Sequence, residues 1–348
     1  MPPENPATTN NPPEFLARLE SKPEASRKCR FVSIDGTSNQ FGLNNTNVVE
    51  LHSYILADHS AEQRKYYNSG IGTYVPHQEK FKSFVQQIDN AVELAFAGHF
   101  KEIILKAYRW LSETYMPNDK IFLFGFSRGA YQVRTLAGMI QMVGLVGPGN
   151  EELIPFAYEI YSERHKGRVT KDSAEIADNF KKTFSRDVRI HFVGVWDTVS
   201  SVGIIRKPLP LTMSANHVCS FRHALALDER RVKFLPEYVK GGSSMVLSGG
   251  LKNELNTPVD IKEVWFAGTH SDMRKNLALN LSSVPLLWME NEAISAGLRL
   301  RPRVAGGAWN MEHLQDDYLH ESLTWVWKPL EYLPLTHLSF ETADKSTM

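Results

Sequence analysis

The sequence predicts an α/β fold in which a mainly parallel sheet is covered by helices on both faces. Short apolar runs rich in β-formers recur at residues 31–34, 65–67, 121–124, 188–196 and 263–267. Segments whose apolar residues follow helical spacing separate them, which is the pattern of parallel strands joined by helical crossovers. The runs also end in polar, turn-forming stretches, and such folds gather functional groups at the carboxyl ends of strands. Those ends carry Asp35, Ser127, Asp197, and His270 with Asp272.

In chain order, residues 1–27, with Pro2, Pro3, Pro6, Pro12 and Pro13, read as a disordered or loosely attached leader. Residues 28–340 read as one domain. Phe31-Val32-Ser33-Ile34 is the first strand, and Asn45-Thr46-Asn47 supplies the cap for a helix marked by Val48, Val49, Leu51, Tyr54, Ile55 and Leu56. Lys65-Tyr66-Tyr67 begins a second strand. Val92, Ala95, Phe96, Phe100, Ile103, Ile104, Ala107, Trp110 and Leu111 share one face of a long helix, which Pro117-Asn118-Asp119 stops. The strand at Ile121 follows, then a helix over 131–142, a turn-rich break at 144–149, and charged helical sequence over 151–185. Further strands end at Trp196 and Ala267, and a helix covers 284–296. Helical cap insertions are expected around 150–187 and 204–258.

Composition narrows the class. With 348 residues, 42% of them hydrophobic, the chain can bury a sizeable core. Lys+Arg and Asp+Glu balance at 39 each, so no charge surplus steers it toward nucleic acid. Two cysteines, Cys29 and Cys219, make no disulfide framework and fit a reducing compartment, and a cytoplasmic location is the expectation. The N-terminus lacks the pattern of a signal or transit peptide, and no run approaches the 18 or so apolar residues of a spanning helix.

The stretch that carries chemistry is Ile121-Phe122-Leu123-Phe124-Gly125-Phe126-Ser127-Arg128-Gly129-Ala130. An apolar strand runs into G-x-S-x-G, and a helix follows. That context turns the pattern into a nucleophile elbow, where small residues let strand and helix approach and the serine is lifted above the sheet edge. The plain alternative is a glycine-rich turn whose serine caps the helix.

A serine hydrolase on this frame needs an acid and then a base later in the chain. The acid is Asp197 or Asp272 and the base His270 or His320. His320 is preferred, because the base usually follows the last strand, and Asp197 is preferred because its strand is the cleaner one. Thr198 and Ser200 are placed to hold its carboxylate. The Arg128 N–H and a backbone N–H near Thr37, in the turn Gly36-Thr37-Ser38, are the oxyanion donors. Each has a bland counterpart: a capping Asp, a loop His, a simple turn.

Other chemistries fit less well. Asp35-Gly36-Thr37 resembles the start of a phosphatase motif, but Ser33 stands where its attacking carboxylate would be. His217, Cys219 and His223 lack zinc spacing and read as packing. Neither a P-loop nor a strand-linked G-x-G-x-x-G occurs, so no metal or cofactor is expected.

An ordered set of motifs carries a family resemblance. It comprises Asp35-Gly36-Thr37 with Asn39, Asn45-Thr46-Asn47-Val48-Val49, Tyr66-Tyr67, and Gly70-Ile71-Gly72-Thr73. It continues with Gly125-Phe126-Ser127-Arg128-Gly129-Ala130 and Val193-Gly194-Val195-Trp196-Asp197-Thr198-Val199. Arg222-His223-Ala224-Leu225-Ala226-Leu227-Asp228-Glu229-Arg230-Arg231 follows, then Val264-Trp265-Phe266-Ala267-Gly268 with His270-Ser271-Asp272. Over residues 30–288, with a weaker echo to 333, the chain resembles the type VI secretion phospholipase effector-like catalytic domains, which are common in fungal proteins. The resemblance implies an α/β-hydrolase fold, Ser127 as nucleophile, and hydrolysis of an ester or lipid acyl group. It also maps a C-terminal His-Asp-Ser segment onto His320-Glu321-Ser322. The partner it implies is a small-molecule or lipid ester, with peripheral membrane contact left open. Asp272 is followed by Met273-Arg274-Lys275-Asn276 where the family has Val-Gly-Gly-Gly, and Ser38 replaces an aromatic. These departures motivate a second reading, a catalytically impaired hydrolase fold kept as a binding module.

Overall fold

The computed structural model describes residues 28–36, 45–57, 62–70, 89–163, 171–199, 209–212, 215–231, 234, 236–239, 260–275, 281–302, 322–323, 336–338 and 345–347. Six strands among them form one parallel sheet. They are β1 (Cys29–Ile34), β2 (Gln63–Asn68), β3 (Lys120–Phe126), β4 (Ile190–Trp196), β5 (Val218–Ala226) and β6 (Asp260–Phe266). Their order across the sheet is β2-β1-β3-β4-β5-β6. The chain first steps from β1 to β2 on one side, then crosses to β3 on the other, so the winding reverses between β1 and β3. In open α/β sheets that reversal opens a crevice at the carboxyl ends of the two strands.

Two-residue alternation along the strands builds two cores. Phe31, Phe122, Phe124, Phe192 and Trp196 face helices α1 (Asn47–Tyr54) and α6 (Ser283–Ser295). Val32, Ile34, Ile121, Leu123, Val193 and Val195 face α2 (Asp89–Thr114) and α3 (Arg128–Val143). The α/β-hydrolase-like reading, a parallel sheet with helices on both faces, is the observed architecture. Thr46 is the cap of α1, its hydroxyl accepting the Val49 N–H at 3.3 Å. The stop before β3 is a turn in which Asn118 takes a left-handed φ of 73° and Asp119 accepts the Met116 N–H at 2.9 Å.

Two segments differ from the sequence expectation. Helices α4 (Ile154–Glu163) and α5 (Lys171–Phe184) pack against α3, and α4 also against α2. They bury Ile154, Ala157, Tyr161, Ala177 and Phe180, so this insertion thickens one helical layer. The expected cap over 204–258 contains β5, an interior strand of the sheet. Arg222 and His223 interrupt its apolar run and hid it in the sequence. Both are buried and paired, Arg222 with Glu292 at 2.5 Å and His223 with Glu263 at 2.9 Å. The leader 1–27 lies outside the described residues. Among the described residues no helix is long and apolar enough to cross a membrane.

Two glycines bring the elements to the crevice. A Cβ on Gly129 would sit 2.3 Å from the Ile34 carbonyl oxygen and 2.4 Å from that of Asp35. One on Gly125 would sit 2.6 Å from the Gly129 carbonyl oxygen. These obstacles are backbone and cannot rotate away. Gly129→Ala is therefore expected to cost about 2–4 kcal/mol of unfolding free energy, read from urea titrations against wild type. An unchanged midpoint would contradict the close approach.

Acid sensitivity follows from a buried histidine. Burial pushes His217 down to about 4, and the neighbouring Arg134 guanidinium acts in the same direction. A depressed folded-state value means that the unfolded chain binds the proton more readily below about 6.5. Stability from this group is thus full at neutral pH and lost as pH falls from about 6.5 to 4. About 2 kcal/mol should disappear between pH 7 and 5 from this residue. His217→Gln should flatten that part of the stability profile, measured by urea unfolding at each pH.

Candidate active site

Ser127 occupies the turn between β3 and α3. Its backbone lies at φ 57° and ψ −124°, a region that costs a non-glycine residue about 1–3 kcal/mol. The surroundings impose it. Ser127 N–H donates to the Trp196 carbonyl at 3.0 Å, while its own carbonyl accepts from Val199 N–H at 3.2 Å and Tyr131 N–H at 3.3 Å. Its side chain makes no capping bond to α3, so the helix-cap alternative does not describe it.

The hydroxyl instead meets a histidine. Ser127 Oγ lies 2.8 Å from His270 Nε2, and His270 Nδ1 lies 2.5 Å from Asp197 Oδ2. An ionised carboxylate can only accept, so Nδ1 carries the proton and the Nε2 lone pair faces the serine O–H. Asp197 is fully buried at the end of β4, with φ 41°. Its N–H donates to the Ala224 carbonyl at 2.7 Å, and its Oδ1 accepts the Ala226 N–H at 3.2 Å. The end of β5 thus supports the carboxylate. Thr198, expected to do so, leaves its hydroxyl unpartnered among the described residues.

The His270 ring is boxed by aromatics. Phe126 stacks on it at 4.8 Å between centroids, and Phe234 lies at 4.9 Å. Ser127 and His270 keep only 5% and 6% of their exposure. The serine is therefore more enclosed than an elbow lifted clear of the sheet, with Val199 and His270 bonded to it.

The other sequence candidates fall as follows. Asp272 Oδ2 accepts from the Thr269 N–H at 2.7 Å and the Thr269 hydroxyl at 2.9 Å, which shapes the turn that carries His270. Arg128 opens α3, at the positive end of its dipole; burial pushes its guanidinium down to about 10. Asp35 Oδ1 accepts the Gly36 N–H at 2.7 Å, and Oδ2 accepts from Thr46 at 2.9 Å and Tyr67 at 3.2 Å. That carboxylate anchors the loop after β1. Thr37, His320 and Ser200 lie outside the described residues. Arg274–Lys275, the point of departure from the family pattern, pairs antiparallel with Asn45–Thr46 and joins the histidine loop to the cap of α1.

His223 is a buried linker. Its Nε2 accepts the Thr198 N–H at 3.1 Å, and Nδ1 meets Glu263. Among the described residues no group of three His, Cys, Asp or Glu side chains could hold a metal ion. Sequence reasoning gave no role to Asp228, Glu229, Arg231 and Phe234, although three of them stand in the block running on from Arg222. The available signal was a dense charged run directly after a strand, and it was lost because β5 was not read as a strand.

Comparison with known proteins gives relatives of uneven reach. The chain is 38% identical over 224 residues to the uncharacterized protein YEL023C of Saccharomyces cerevisiae, covering 62% of this chain and 33% of that protein. It therefore spans about one third of that relative's length. An uncharacterized protein from Pseudomonas aeruginosa aligns with a TM-score of 0.42 at 17% identity, covering 83% of this chain and 48% of the other. Thermogutta terrifontis esterase 2, phosphorylated by paraoxon, aligns with a TM-score of 0.37 at 12% identity, covering 82% and 88% of the two chains. The family described as "T6SS, Phospholipase effector Tle1-like, catalytic domain" matches residues 28–292, the span that holds the whole sheet and Ser127, His270 and Asp197. The chain belongs to that family.

Proposed function

We propose that the protein is a serine hydrolase of acyl esters, with lipid or phospholipid-like substrates, working through Ser127, His270 and Asp197. The observation that carries this reading is the unbroken line from Asp197 Oδ2 through the imidazole to Ser127 Oγ, at 2.5 and 2.8 Å. Family membership supports an ester substrate, and the family's description as phospholipase favours the lipid class. His270 takes the base role for which the sequence favoured His320.

In the proposed reaction Ser127 Oγ attacks the ester carbonyl carbon as His270 Nε2 takes its proton. Asp197 holds the imidazole in the tautomer that leaves Nε2 basic and stabilises the imidazolium that forms. The negative oxygen of the tetrahedral intermediate sits against the Arg128 N–H, at the positive end of α3, and a second N–H from the loop after β1. Gly36 N–H is donated to the Asp35 carboxylate, which has a holding role. Collapse passes the proton from His270 to the leaving alkoxide and leaves an acyl-Ser127 ester. A water, deprotonated by the same imidazole, then releases the acid and restores the hydroxyl.

A fluorophosphonate probe should label wild type at Ser127 and leave Ser127→Ala unlabelled. The same substitution should lower release of fatty acid from phosphatidylcholine vesicles by about a thousandfold or more, to background. Folded wild type that takes no label would instead favour a binding module that has kept a hydrolase fold.

Asp197→Asn keeps the shape and the Ala226 contact but presents an amide that can donate to Nδ1, which favours the wrong tautomer. A loss in kcat of about 10³–10⁴ with little change in KM is expected, measured on p-nitrophenyl butyrate. A loss below about tenfold would remove Asp197 from the mechanism.

A further inference from the structure

Ser127 and Asp197 hold only the ring nitrogens of His270, and a second structure holds the rest of the residue. The loop after β5 binds the histidine loop through its backbone. Asp228 N–H donates to the Gly268 carbonyl at 3.0 Å, and Asp228 Oδ2 accepts the Gly268 N–H at 2.7 Å. One residue on, Glu229 Oε2 accepts the His270 N–H at 3.1 Å.

Glu229 is itself fixed. Arg231 meets it two-pronged, Nε to Oε1 and Nη2 to Oε2, both at 2.8 Å, and the Arg231 N–H adds a third bond to Oε1. The Arg231 guanidinium lies 3.9 Å over the Phe234 ring, which in turn contacts the His270 ring. The grip therefore runs from backbone to carboxylate, to guanidinium, to aromatic ring, and back to the imidazole. The two charged side chains are 3% and 12% exposed, so screening by water is weak. Burial alone would raise the Glu229 carboxyl, but Arg231 and the N–H donors outweigh it and hold it below the ordinary carboxylate range.

We propose that Asp228, Glu229, Arg231 and Phe234 form a positioning clamp that sets His270 between Ser127 and Asp197, with Arg231 balancing the extra carboxylate placed beside the imidazole. This rests on His270 being the base. Several charged groups surround that imidazole or its neighbours. They are Asp197 from β4, Arg128 beside Ser127, the clamp residues from the β5 loop, and Asp272 in its own turn. Tyr238 lies within electrostatic reach of Asp197. Arg231 pairs directly with Glu229, the carboxylate that accepts the histidine backbone N–H.

The signature is a pair of opposite shifts. Arg231→Met leaves Glu229 unbalanced, favours the imidazolium in the resting enzyme, and should move the acid limb of kcat upward by about half a pH unit or more. Glu229→Gln keeps an acceptor for the His270 N–H, removes the negative charge, and should move the limb downward. The double variant should return it near wild type. Both single variants should lower kcat about tenfold or more, with KM within about twofold, since the loss lies in orientation. Arg231→Lys should preserve the charge balance and the limb position.

The readouts are p-nitrophenyl butyrate hydrolysis and fluorophosphonate labelling rate, each across pH, on the full chain checked by circular dichroism. Limbs that stay within about 0.2 pH unit, or shift in the same direction, would overturn the clamp. If Arg231→Met does not fold, Glu229→Gln against Arg231→Lys decides: a downward shift in the first alone supports the clamp, and unshifted limbs in both overturn it. His270→Ala is run alongside. Labelling of that variant at the wild-type rate would overturn the base assignment itself. An inactive His270→Ala with wild-type-like clamp variants would overturn only the clamp.

Discussion

The carbonyl oxygens of Ile34 and Asp35 stand where any side chain at position 129 would be. That backbone-on-backbone contact sets the geometry of the whole site. It brings the end of β1 against the first turn of α3 and forces the residue between β3 and α3 into a left-handed conformation. Strain of this kind persists only where neighbours over-determine it. Here the Trp196 carbonyl holds the Ser127 N–H, and the Val199 N–H holds its carbonyl. The serine turn is thus fastened to the end of β4, and β4 delivers Asp197.

From that contact outward, each strand end braces the next. β5 provides the Ala224 carbonyl and the Ala226 N–H that seat Asp197, and the loop beyond it grips the turn carrying His270. The buried His223–Glu263 pair ties Thr198 to β6 and to the Val239 N–H. Buried charge is met here by an opposite charge, as in Arg30–Asp119, or by hydrogen bonds, as where Arg134 donates to the Thr212 and Glu237 carbonyls, which offsets its desolvation. The loop after β1 is set in the same way, with Asp35 gathering Gly36, Thr46 and Tyr67. Orientation within the site is thereby assigned to polar bonds between loops, while the two apolar cores hold the sheet and helices beneath them.

The stretch that departs from the family pattern fits this account. Arg274–Lys275 adds a short antiparallel pairing with Asn45–Thr46, and Thr46 both caps α1 and bonds Asp35. The histidine loop and the loop after β1 are therefore joined through backbone hydrogen bonds that do not depend on glycine at those positions. A change in side-chain bulk there is compatible with the distances at Ser127, His270 and Asp197.

The parallel architecture, the strand carrying Ser127 and the carboxylate at the end of β4 were legible from the chain alone. Apolar periodicity and turn residues are local signals, and a strand–Gly-x-Ser-x-Gly–helix run specifies its own geometry. β5 was not legible, because Arg222 and His223 look polar until their partners Glu292 and Glu263, far along the chain, are in place. The choice between His270 and His320 was likewise open, since each follows a plausible segment and distance along the chain says nothing about distance across a sheet. The tertiary structure put an imidazole against Ser127 by folding β6 three strands away from β3 and letting a short turn reach back across the sheet ends. The sequence by itself determined the other strands of the sheet and the serine turn, because those depend on neighbouring residues. Which histidine meets that serine depended on strand order and on contacts between residues more than a hundred positions apart, and only the assembled sheet could decide it.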